Sequence, residues 1–240
     1  MEKIRAVSEP IAYRFGGAYF CELPFFVNKH VLIPRFDTEI LVEAVIKTTP
    51  SAALRRLPPL HTSVRERRGG EFSVLDLCTG SGCIAVVLAK HGYKVTASDI
   101  SGKAVKIAKQ NAKLHDVDIE FIKSDLFEKI GGKYDAIVCN PPYIKTNEIG
   151  KWDKSILFEP QLALDGGADG LYFYRKISER AAAFLSDNGH IFFEIGCGQS
   201  KAVKTILEQS GFCDINIVKD KQGLDRVIHG RKISGNTKKI

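Results

Sequence analysis

The sequence predicts an α/β fold, in which a mostly parallel seven-stranded sheet with an antiparallel closing strand follows an N-terminal β-hairpin. From residue 73 onward, short apolar segments alternate with segments of helical periodicity, which is typical of a parallel sheet covered by helices. The last two apolar segments have little between them, so they are predicted to pair antiparallel. The 240 residues are 44% hydrophobic and 26% charged, a globular composition that excludes a disordered or fibrous chain.

The alternating region predicts strands and helices in a regular order. The strands are expected at residues 73–78, 94–98, 119–122, 134–139, 190–195, 213–219 and 226–229. The helices are expected at residues 84–90, 103–114, 171–185 and 201–209. Because ligands of such sheets bind beyond the carboxyl ends of the strands, polar residues that follow a strand are the first candidates for a site.

The segment before this region predicts a hairpin, a helix and a loop. Aromatic runs at 13–15, 18–20 and 25–27 predict strands with a turn at Gly16-Gly17. Residues 34–37 open a helix, with Asp37 or Thr38 as its cap. Residues 48–70 contain prolines, glycines and five arginines, which predict an inserted basic loop. The predicted organisation is a hairpin region at 1–33, an α/β domain at 34–232 that contains the basic loop at 48–70, and a basic tail at 233–240.

The formal net charge of +7 comes from two short stretches of the chain. Residues 50–70 contribute a net +4, and residues 231–240 contribute another +4, so the rest is close to neutral at −1. A basic chain invites a nucleic-acid interpretation, but a near-neutral body lacks the basic face that such binding needs. Nucleic acid is therefore not the expected partner, and the loop at 50–70 is interpreted as solvated surface, with contact to RNA or a protein as the alternative.

Membrane, metal and disulfide interpretations find little support in the sequence. No stretch approaches the roughly 18 apolar residues of a membrane helix, and residues 1–10 lack the apolar core of a signal peptide. The six cysteines form no Cys-x-x-Cys pair and are predicted to be buried free thiols in a reducing cytosol. We therefore expect a cytoplasmic protein without a metal site or a membrane partner.

A glycine turn, Asp76-Leu77-Cys78-Thr79-Gly80-Ser81-Gly82, joins the first strand of the region to a helix. Glycines allow a tight turn and let a ligand approach the backbone, and the amides of a helix N-terminus favour an anionic group. The turn is a weak signal that leaves a dinucleotide possible, because Ala85 is a tolerated third position of Gly-x-Gly-x-x-Gly. Asp76 before the turn suits the cationic end of a ligand, which favours S-adenosylmethionine over NAD.

Acidic residues follow the next two predicted strands. Asp99 ends the second strand, where a carboxylate can accept hydrogen bonds from both hydroxyls of a ribose. Asp125 follows the third strand, where it could receive the exocyclic amine of an adenine. Simpler roles stay open, because Asp99 can cap the helix near Ser101 and Asp125 can be a turn residue. Together with the glycine turn, the two acids favour a site for an adenosine group.

Asn140-Pro141-Pro142-Tyr143 follows the fourth predicted strand. The two prolines fix the backbone and lack N–H groups, which leaves rigid carbonyls aimed at one point. Asn140 adds a side-chain acceptor, and Tyr143 adds a face for stacking. Such a turn suits the NH2 group of a planar amide or amine, which needs two acceptors for its two hydrogens. A simple Pro-Pro turn after a strand is the alternative for the tetrapeptide seen alone.

These motifs, together with four others, resemble those of the HemK/PrmC family over about residues 8–232. The others are Val-Leu-Ile-Pro-Arg-Phe-Asp-Thr-Glu at 31–39, Glu-Pro-Gln-Leu-Ala-Leu-Asp-Gly-Gly-Ala-Asp-Gly at 159–170, Glu194-Ile195-Gly196 with Gln199, and Gly-Leu-Asp-Arg-Val at 223–227. The resemblance implies a Rossmann-like class I methyltransferase that uses S-adenosylmethionine. Its implied substrate is the side-chain amide nitrogen of the Gln in the Gly-Gly-Gln motif of peptide-chain release factors. A release factor is then the implied partner of a protein expected to be a monomer.

The resemblance also implies roles for the candidate residues. Asn140, Pro141 and Tyr143 are the implied catalytic residues, and together with Pro142 they would hold the substrate. The residues implied in donor binding are Asp76, Cys78, Thr79, Gly80, Ser81, Gly82, Asp99, Asp125, Leu126 and Asn140. Cys78 stands where the family often has glycine. Two departures concern substrate docking: about ten residues precede the predicted hairpin where the family usually has a helical domain, and the stretch 50–70 is longer than expected.

The tetrapeptide does not by itself fix the substrate, because methyltransferases of adenine amino groups in DNA or RNA carry it too. A glutamine of a ribosomal protein is a related alternative, although Arg-x-x-Thr-Glu at 35–39 looks more like the release-factor enzymes. A donor-binding or assembly protein whose activity has lapsed is an alternative from a non-enzyme class. The intact Asn-Pro-Pro-Tyr turn argues against it.

Overall fold

The computed structural model describes residues 8–49, 71–151 and 153–233. Its strands are β1 (Gly17–Phe20), β2 (Leu23–Phe26), β3 (Ser73–Leu77), β4 (Lys94–Asp99), β5 (Glu120–Lys123), β6 (Tyr134–Cys139), β7 (Leu185–Glu194), β8 (Phe212–Lys219) and β9 (Asp225–Lys232). Its α-helices are α1 (Ile11–Phe15), α2 (Phe36–Thr48), α3 (Cys83–Lys90), α4 (Gly102–Leu114), α5 (Tyr172–Phe184) and α6 (Ser200–Gln209). Short 3-10 turns lie between β6 and α5.

The predicted seven-stranded sheet is confirmed, with the strand order β5-β4-β3-β6-β7-β9-β8. The pairs among β5, β4, β3, β6 and β7 are parallel, and β9 runs antiparallel to both of its neighbours. The pairing of Leu77 with Ser98 of β4 and with Cys139 of β6 shows that these strands end at one level. The glycine turn and the residues that follow β4 and β6 therefore emerge side by side at one edge of the sheet.

Helices cover both faces of the sheet, as a parallel sheet requires. On one face, α2 and α3 bury Leu41, Val45 and Val86 against β3 and β6. On the other face, α5 and α6 bury Tyr174, Ile177, Val203 and Leu207 together with Phe193 of β7. The central strands are apolar on both sides for this reason, which explains why they appear in the sequence as nearly continuous apolar runs.

A third, smaller cluster fastens the N-terminal segment to the sheet domain. Tyr13, Val27, Val31 and Ile33 pack on Ala104 and Ile107 of α4. The Tyr13 hydroxyl donates a hydrogen bond to the carbonyl of Val31 at 2.6 Å, which closes the segment on itself. Residues 28–33 are thereby held beside the carboxyl ends of the strands.

The N-terminal hairpin is confirmed, but its first predicted strand is wrong. Residues 11–15 form the short helix α1, and Gly16 ends that helix in the left-handed conformation at φ 70°. The glycine pair is thus the end of a helix, and the hairpin turn lies at Cys21-Glu22, where both residues have positive φ. Alternating aromatic residues at 13–20 resemble a strand, because a single helical turn is too short to show its own period.

The predicted cap of α2 is also wrong. Arg35 is the N-cap residue and makes no side-chain capping bond, while Asp37 and Thr38 lie within the first turn. Their side chains are used by other parts of the fold: Asp37 pairs with Arg226 of β9 at 3.1 Å, and Thr38 contacts Asn140. Asp37 and Thr38 are of residue types that can cap a helix, but here their side chains make tertiary contacts instead.

Several predictions concern loops and single side chains. The basic stretch at 50–70 and the tail from 234 lie outside the described residues. All six cysteines are free, as predicted, but only Cys83 and Cys139 are buried, and Cys197 is exposed in the turn that follows β7. The remaining three, Cys21, Cys78 and Cys213, are partly buried. Among the helices that the structure describes, none is long and apolar enough to cross a membrane.

Candidate active site

The glycine turn joins β3 to α3 in a conformation that its residues make possible. Cys78, Gly80 and Gly82 all have positive φ. A side chain on Gly82 would place its Cβ 2.9 Å from the Cβ of Ala108, so this glycine also allows α3 and α4 to pack closely. The amide of Thr79 donates to the carbonyl of Ser98 at 2.9 Å, which ties the turn to β4. The turn is therefore a rigid part of the sheet edge.

Asp99 ends β4 and is hydrogen-bonded to the glycine turn. Its Oδ2 accepts from the amide of Gly80 at 2.9 Å, and its Oδ1 accepts from the amide of Ser101 at 2.8 Å. Burial raises the pKa of this carboxyl, and the two amides oppose that effect. The true cap of α4 is Ser101, whose hydroxyl accepts from the amide of Ala104. Since an ionised carboxylate offers about four acceptor positions, Asp99 can still accept from a ligand.

Asp76 lies beneath the pocket, in the body of the protein. It is fully buried in β3, and the hydroxyl of Thr79 donates to its Oδ2 at 2.5 Å. Burial raises its pKa to about 7, although the Thr79 hydrogen bond lowers it. Its other oxygen, Oδ1, has no hydrogen-bond partner among the described residues. Asp76 thus supports the turn from below and is not one of the residues that line the pocket.

A pocket opens above these strand ends. Of the residues named from the sequence, it is lined by Cys78, Thr79, Gly80, Ser81, Asp99, Asp125, Leu126, Asn140 and Pro142. Asp125 is exposed at its rim. Gly82, Pro141 and Tyr143 lie outside the lining, as Asp76 does. The ends of four strands, β3, β4, β5 and β6, thus converge on one cavity, which is the arrangement expected for a ligand at the edge of a parallel sheet.

Two further walls of the pocket were not identified as such from the sequence. One wall comes from the N-terminal segment and α2, namely His30, Val31, Leu32, Pro34 and Thr38. The other comes from the stretch between β6 and α5, namely Pro160, Leu162, Ala163 and Phe173. Both stretches overlap motifs that carry the family resemblance, and nothing in their local pattern indicates a ligand.

The charge of the lining distinguishes between possible ligands. Asp99 and Asp125 contribute two carboxylates, and no lysine or arginine of the described residues lines the pocket. Phosphate groups are normally held by basic side chains or by helix N-termini, so the pyrophosphate of a dinucleotide would find only backbone amides here. A nucleoside that carries a cationic group fits the two carboxylates better.

Asn140 follows β6 and lines the pocket through its side chain. Its Nδ2 donates a hydrogen bond to the hydroxyl oxygen of Thr38 at 3.2 Å. Pro141 and Pro142 are buried behind it, so the backbone of the turn is fixed on both sides. The turn therefore presents one amide side chain to the cavity in a defined place.

Tyr143 points into the protein, away from the pocket. Its hydroxyl donates to Oε1 of Glu194 at 3.3 Å, and burial raises its pKa. Its backbone carbonyl accepts from Nε2 of Gln199 at 3.0 Å. A Cβ on Gly170 would lie 2.5 Å from that carbonyl oxygen, so a larger residue could not occupy this place. Tyr143 thus fixes the turn to the end of β7. Gln199 supports this position through its hydrogen bond, and Gly170 leaves room for the Tyr143 carbonyl.

The first turn of α2 connects four parts of the site. Arg35 forms an ion pair with the buried Glu159, and Asp37 pairs with Arg226. Thr38 contacts Asn140, and Glu39 accepts at Oε1 from the amide of Cys21 in the hairpin at 2.7 Å. Three of these four contacts are made by charged side chains, those of Arg35, Asp37 and Glu39, which gives each of them a structural role.

The candidate site contains no evident metal centre. Within 8–49, 71–151 and 153–233, no group of three or more His, Cys, Asp or Glu side chains is placed to hold a metal ion. The residues that could hold a cofactor are those of the pocket lining, and their amides, carboxylates and apolar side chains suit an organic ligand.

The chain is similar to known methyltransferases. The family model described as methyltransferase small domain matches residues 60–156. A release factor glutamine methyltransferase of Thermodesulfovibrio yellowstonii is 43% identical over 93% of this chain and 77% of that protein. One of Geobacter sulfurreducens is 39% identical over 95% of this chain and 75% of that protein.

A solved structure shows the same fold at lower sequence identity. The 16S rRNA N2 G1207 methyltransferase of Thermus thermophilus, in complex with AdoMet and guanosine, has a TM-score of 0.59 at 18% identity. The match covers 90% of this chain and 50% of that one. At this identity the likeness shows the fold alone, and an enzyme of RNA shares it.

Proposed function

The chain belongs to the release factor glutamine methyltransferase family, and we propose that it transfers a methyl group from S-adenosylmethionine to a glutamine side-chain amide. The glutamine is the one in the Gly-Gly-Gln motif of a peptide-chain release factor. The family supports this substrate class, and Asn140 is the one residue with an amide side chain among the described residues that line the cavity.

The observation that carries the proposal is the position of Asn140. Its side chain lies in the wall of the same pocket as the glycine turn and Asp99, so a donor and an acceptor amide can meet beside it. A substrate NH2 group needs acceptors for its hydrogens. Asn140 Oδ1 and the carbonyl of Pro141 are the acceptors that the turn provides.

The pocket residues fit S-adenosylmethionine by their chemistry. Asp99 would accept from the ribose hydroxyls, and Asp125 with Leu126 would border the adenine. Cys78, Thr79, Gly80 and Ser81 would hold the methionine part, and the absence of Lys and Arg from the described lining suits the positive charge of the ligand. Asp76, with one unpartnered buried oxygen, would act through Thr79. When bound, S-adenosylmethionine supplies the methyl group on its sulfonium.

The chain's own residues would promote the reaction by positioning. An amide nitrogen is a poor nucleophile, because its lone pair is delocalised into the carbonyl, and the turn offers no strong base. Asn140 and the Pro141 carbonyl would hold the two N–H groups so that the lone pair turns towards the methyl group. Hydrogen bonds to a nitrogen that becomes pyramidal strengthen in the transition state, which is where stabilisation raises the rate. Pro142 would exclude water on one side.

The experiment is a methyl-transfer assay with two substrates. Purified protein is incubated with labelled S-adenosylmethionine and either a release factor or RNA, and the products are analysed by mass spectrometry. We expect one added methyl on the Gly-Gly-Gln peptide of the release factor and none on RNA. Methylation of RNA alone would instead establish the adenine-type alternative, and no transfer to either would favour a donor-binding protein without activity.

Replacing Asn140 tests the mechanism directly. Asn140→Ala should lower methyl transfer by about a thousandfold, since it removes an acceptor that acts in the transition state. Binding of S-adenosylmethionine, measured by calorimetry, should change by less than about tenfold, because the other lining residues remain. Full activity of this variant would contradict the proposed role of the turn.

A further inference from the structure

Thr38 is a buried residue of α2 that lies next to the proposed acceptor. Its hydroxyl oxygen is 3.2 Å from Nδ2 of Asn140 and its side chain is only 3% exposed. An amide nitrogen has hydrogens and no lone pair to offer, so the threonine oxygen must be the acceptor of this bond. The bond therefore defines which of the two amide atoms of Asn140 faces Thr38 and leaves Oδ1 as the atom that can serve a substrate.

The Thr38 hydroxyl has one hydrogen, which it can donate while its oxygen accepts from Asn140. The hydroxyl of Thr38 lowers the pKa of the Glu194 carboxyl, which burial raises to about 7. Glu194 Oε1 accepts from Tyr143, and Oε2 is buried without a hydrogen-bond partner among the described residues. Oε2 can take the threonine hydrogen, and a carboxyl group keeps an acceptor oxygen in either protonation state.

Thr38 thus accepts a hydrogen bond from Asn140, and its hydroxyl also acts on the buried carboxyl group of Glu194, whose pKa it lowers. Water has little access to replace either side chain, because Glu194 is 2% exposed and Thr38 is 3% exposed. The first turn of α2 is itself held by the Asp37–Arg226 pair, so Thr38 cannot easily withdraw. A buried hydrogen bond of this kind specifies one orientation of the Asn140 amide.

We infer that Thr38 is a positioning residue, which holds the Asn140 amide with Oδ1 towards the substrate nitrogen. The inference rests on the proposed function, in which Oδ1 accepts a hydrogen from the substrate amide. Without the threonine oxygen, the Asn140 amide is free to turn over and present its own NH2 group. Two NH2 groups would then face each other, and the substrate nitrogen would lose the acceptor that orients it.

The test compares three variants in the methyl-transfer assay. Thr38→Val keeps the shape of the side chain and removes the hydroxyl, whereas Thr38→Ser keeps the hydroxyl. Thr49→Val is the matched control, since it removes a buried threonine hydroxyl at the opposite end of the same helix. We expect Thr38→Val to lower kcat about 10- to 100-fold, with the KM for the release factor changed by less than about threefold. Thr38→Ser should regain most of the lost rate, and Thr49→Val should retain the wild-type rate.

The double variant separates a positioning role from a structural one. If Thr38 acts through Asn140, Thr38→Val should have no further effect on kcat in the Asn140→Ala background. Wild-type kcat in Thr38→Val, or an equal loss in both backgrounds, would overturn the inference while leaving the proposed function intact. If the wild-type protein transferred no methyl group to the release factor, that result would count against the proposed function itself. Binding of S-adenosylmethionine and thermal unfolding of each variant show that the pocket is still formed.

Discussion

Asp99 and Glu194 are two acidic residues of the site with different environments. Asp99 accepts from two backbone amides, whereas Glu194 is buried and accepts a hydrogen bond from the Tyr143 hydroxyl. Backbone amides stabilise the charged form strongly, and hydroxyls do so less. Asp99 is thus suited to bind a ligand as a carboxylate, while Glu194 is suited to hold other side chains in place.

Glu194 should make folding stability depend on pH. Burial, together with the charge of Asp37, raises its pKa from 4.5 to about 7, although the Thr38 and Tyr143 hydroxyls and Arg226 lower it. The folded state therefore binds the proton more tightly than the unfolded state. This contribution is fully present below about pH 4.5 and is lost as pH rises through about 7. It corresponds to about 3 kcal/mol at most.

Glu194→Gln removes the titrating group and leaves Asp76, whose raised pKa has the same sign, in both proteins. We expect the free energy of unfolding of this variant, relative to wild type, to increase between pH 5 and pH 8 by about 1–3 kcal/mol. Chemical denaturation at the two pH values measures the difference. A difference that is constant with pH would show that Glu194 keeps an ordinary pKa.

Single residues show how far the sequence predicts the site. The residue types of the glycine turn, Asp99 and Asn140 were informative, because their chemistry follows from their place at a strand end. The direction of a side chain did not follow from the motif. Tyr143 was expected to offer a stacking face, yet it points to Glu194, and Asp76 supports Thr79 from below. Such directions are set by partners that are distant in sequence.

At the level of elements, α3 and α4 meet at Gly82. Its φ is +81°, and an added Cβ would lie 2.9 Å from Ala108 Cβ and 3.1 Å from Ala108 Cα. Gly82→Ala should therefore cost both backbone strain and a displacement of α4, about 2–5 kcal/mol in all.

Gly211 provides the matched control, because its φ is +85° and an added Cβ would meet nothing within 4 Å. Gly211→Ala should cost only the backbone strain, about 1–2 kcal/mol. Urea denaturation of both variants measures the two values. An equal decrease in the free energy of unfolding for both variants would mean that α4 can shift away from the added methyl group without destabilising the protein.

Elements with a clear period were the best predicted. The strands and the long helices around them match their expected positions within a few residues, apart from the start of β7 at Leu185. The errors are at α1 and at the cap of α2. A five-residue helix is too short to show its period, and a capping residue cannot be told from one that serves a tertiary contact without knowledge of the partner.

At the level of the whole molecule, the pocket and its supporting contacts lie in residues on either side of the basic stretch 50–70. Thr49 and Phe72 flank that stretch, and both contact Tyr93: the Thr49 hydroxyl is 3.1 Å from its hydroxyl, and the Phe72 ring centroid is 5.7 Å from its ring. The two flanks are therefore close enough to be joined by a short linker.

Because the sequence predicts a solvated loop at 50–70, and such loops tolerate changes of length, replacing residues 51–69 with a short glycine-serine linker should leave the KM for the release factor within about threefold of wild type. Steady-state methyl transfer at two salt concentrations measures this. A KM of the linker variant that is much higher than that of wild type at low salt, and equal to it at high salt, would identify the arginines as a docking element for the release factor.

The walls of the pocket come from the N-terminal segment, the strand ends and the stretch before α5, which are far apart in the sequence. A ligand that contacts all three segments binds only when they are assembled, so its binding raises the free energy of unfolding. Hydrogen exchange should then slow together at His30–Leu32, at the glycine turn and at 160–163 when S-adenosylmethionine is added. Slower exchange at only one of these segments would show that the ligand does not join the three walls.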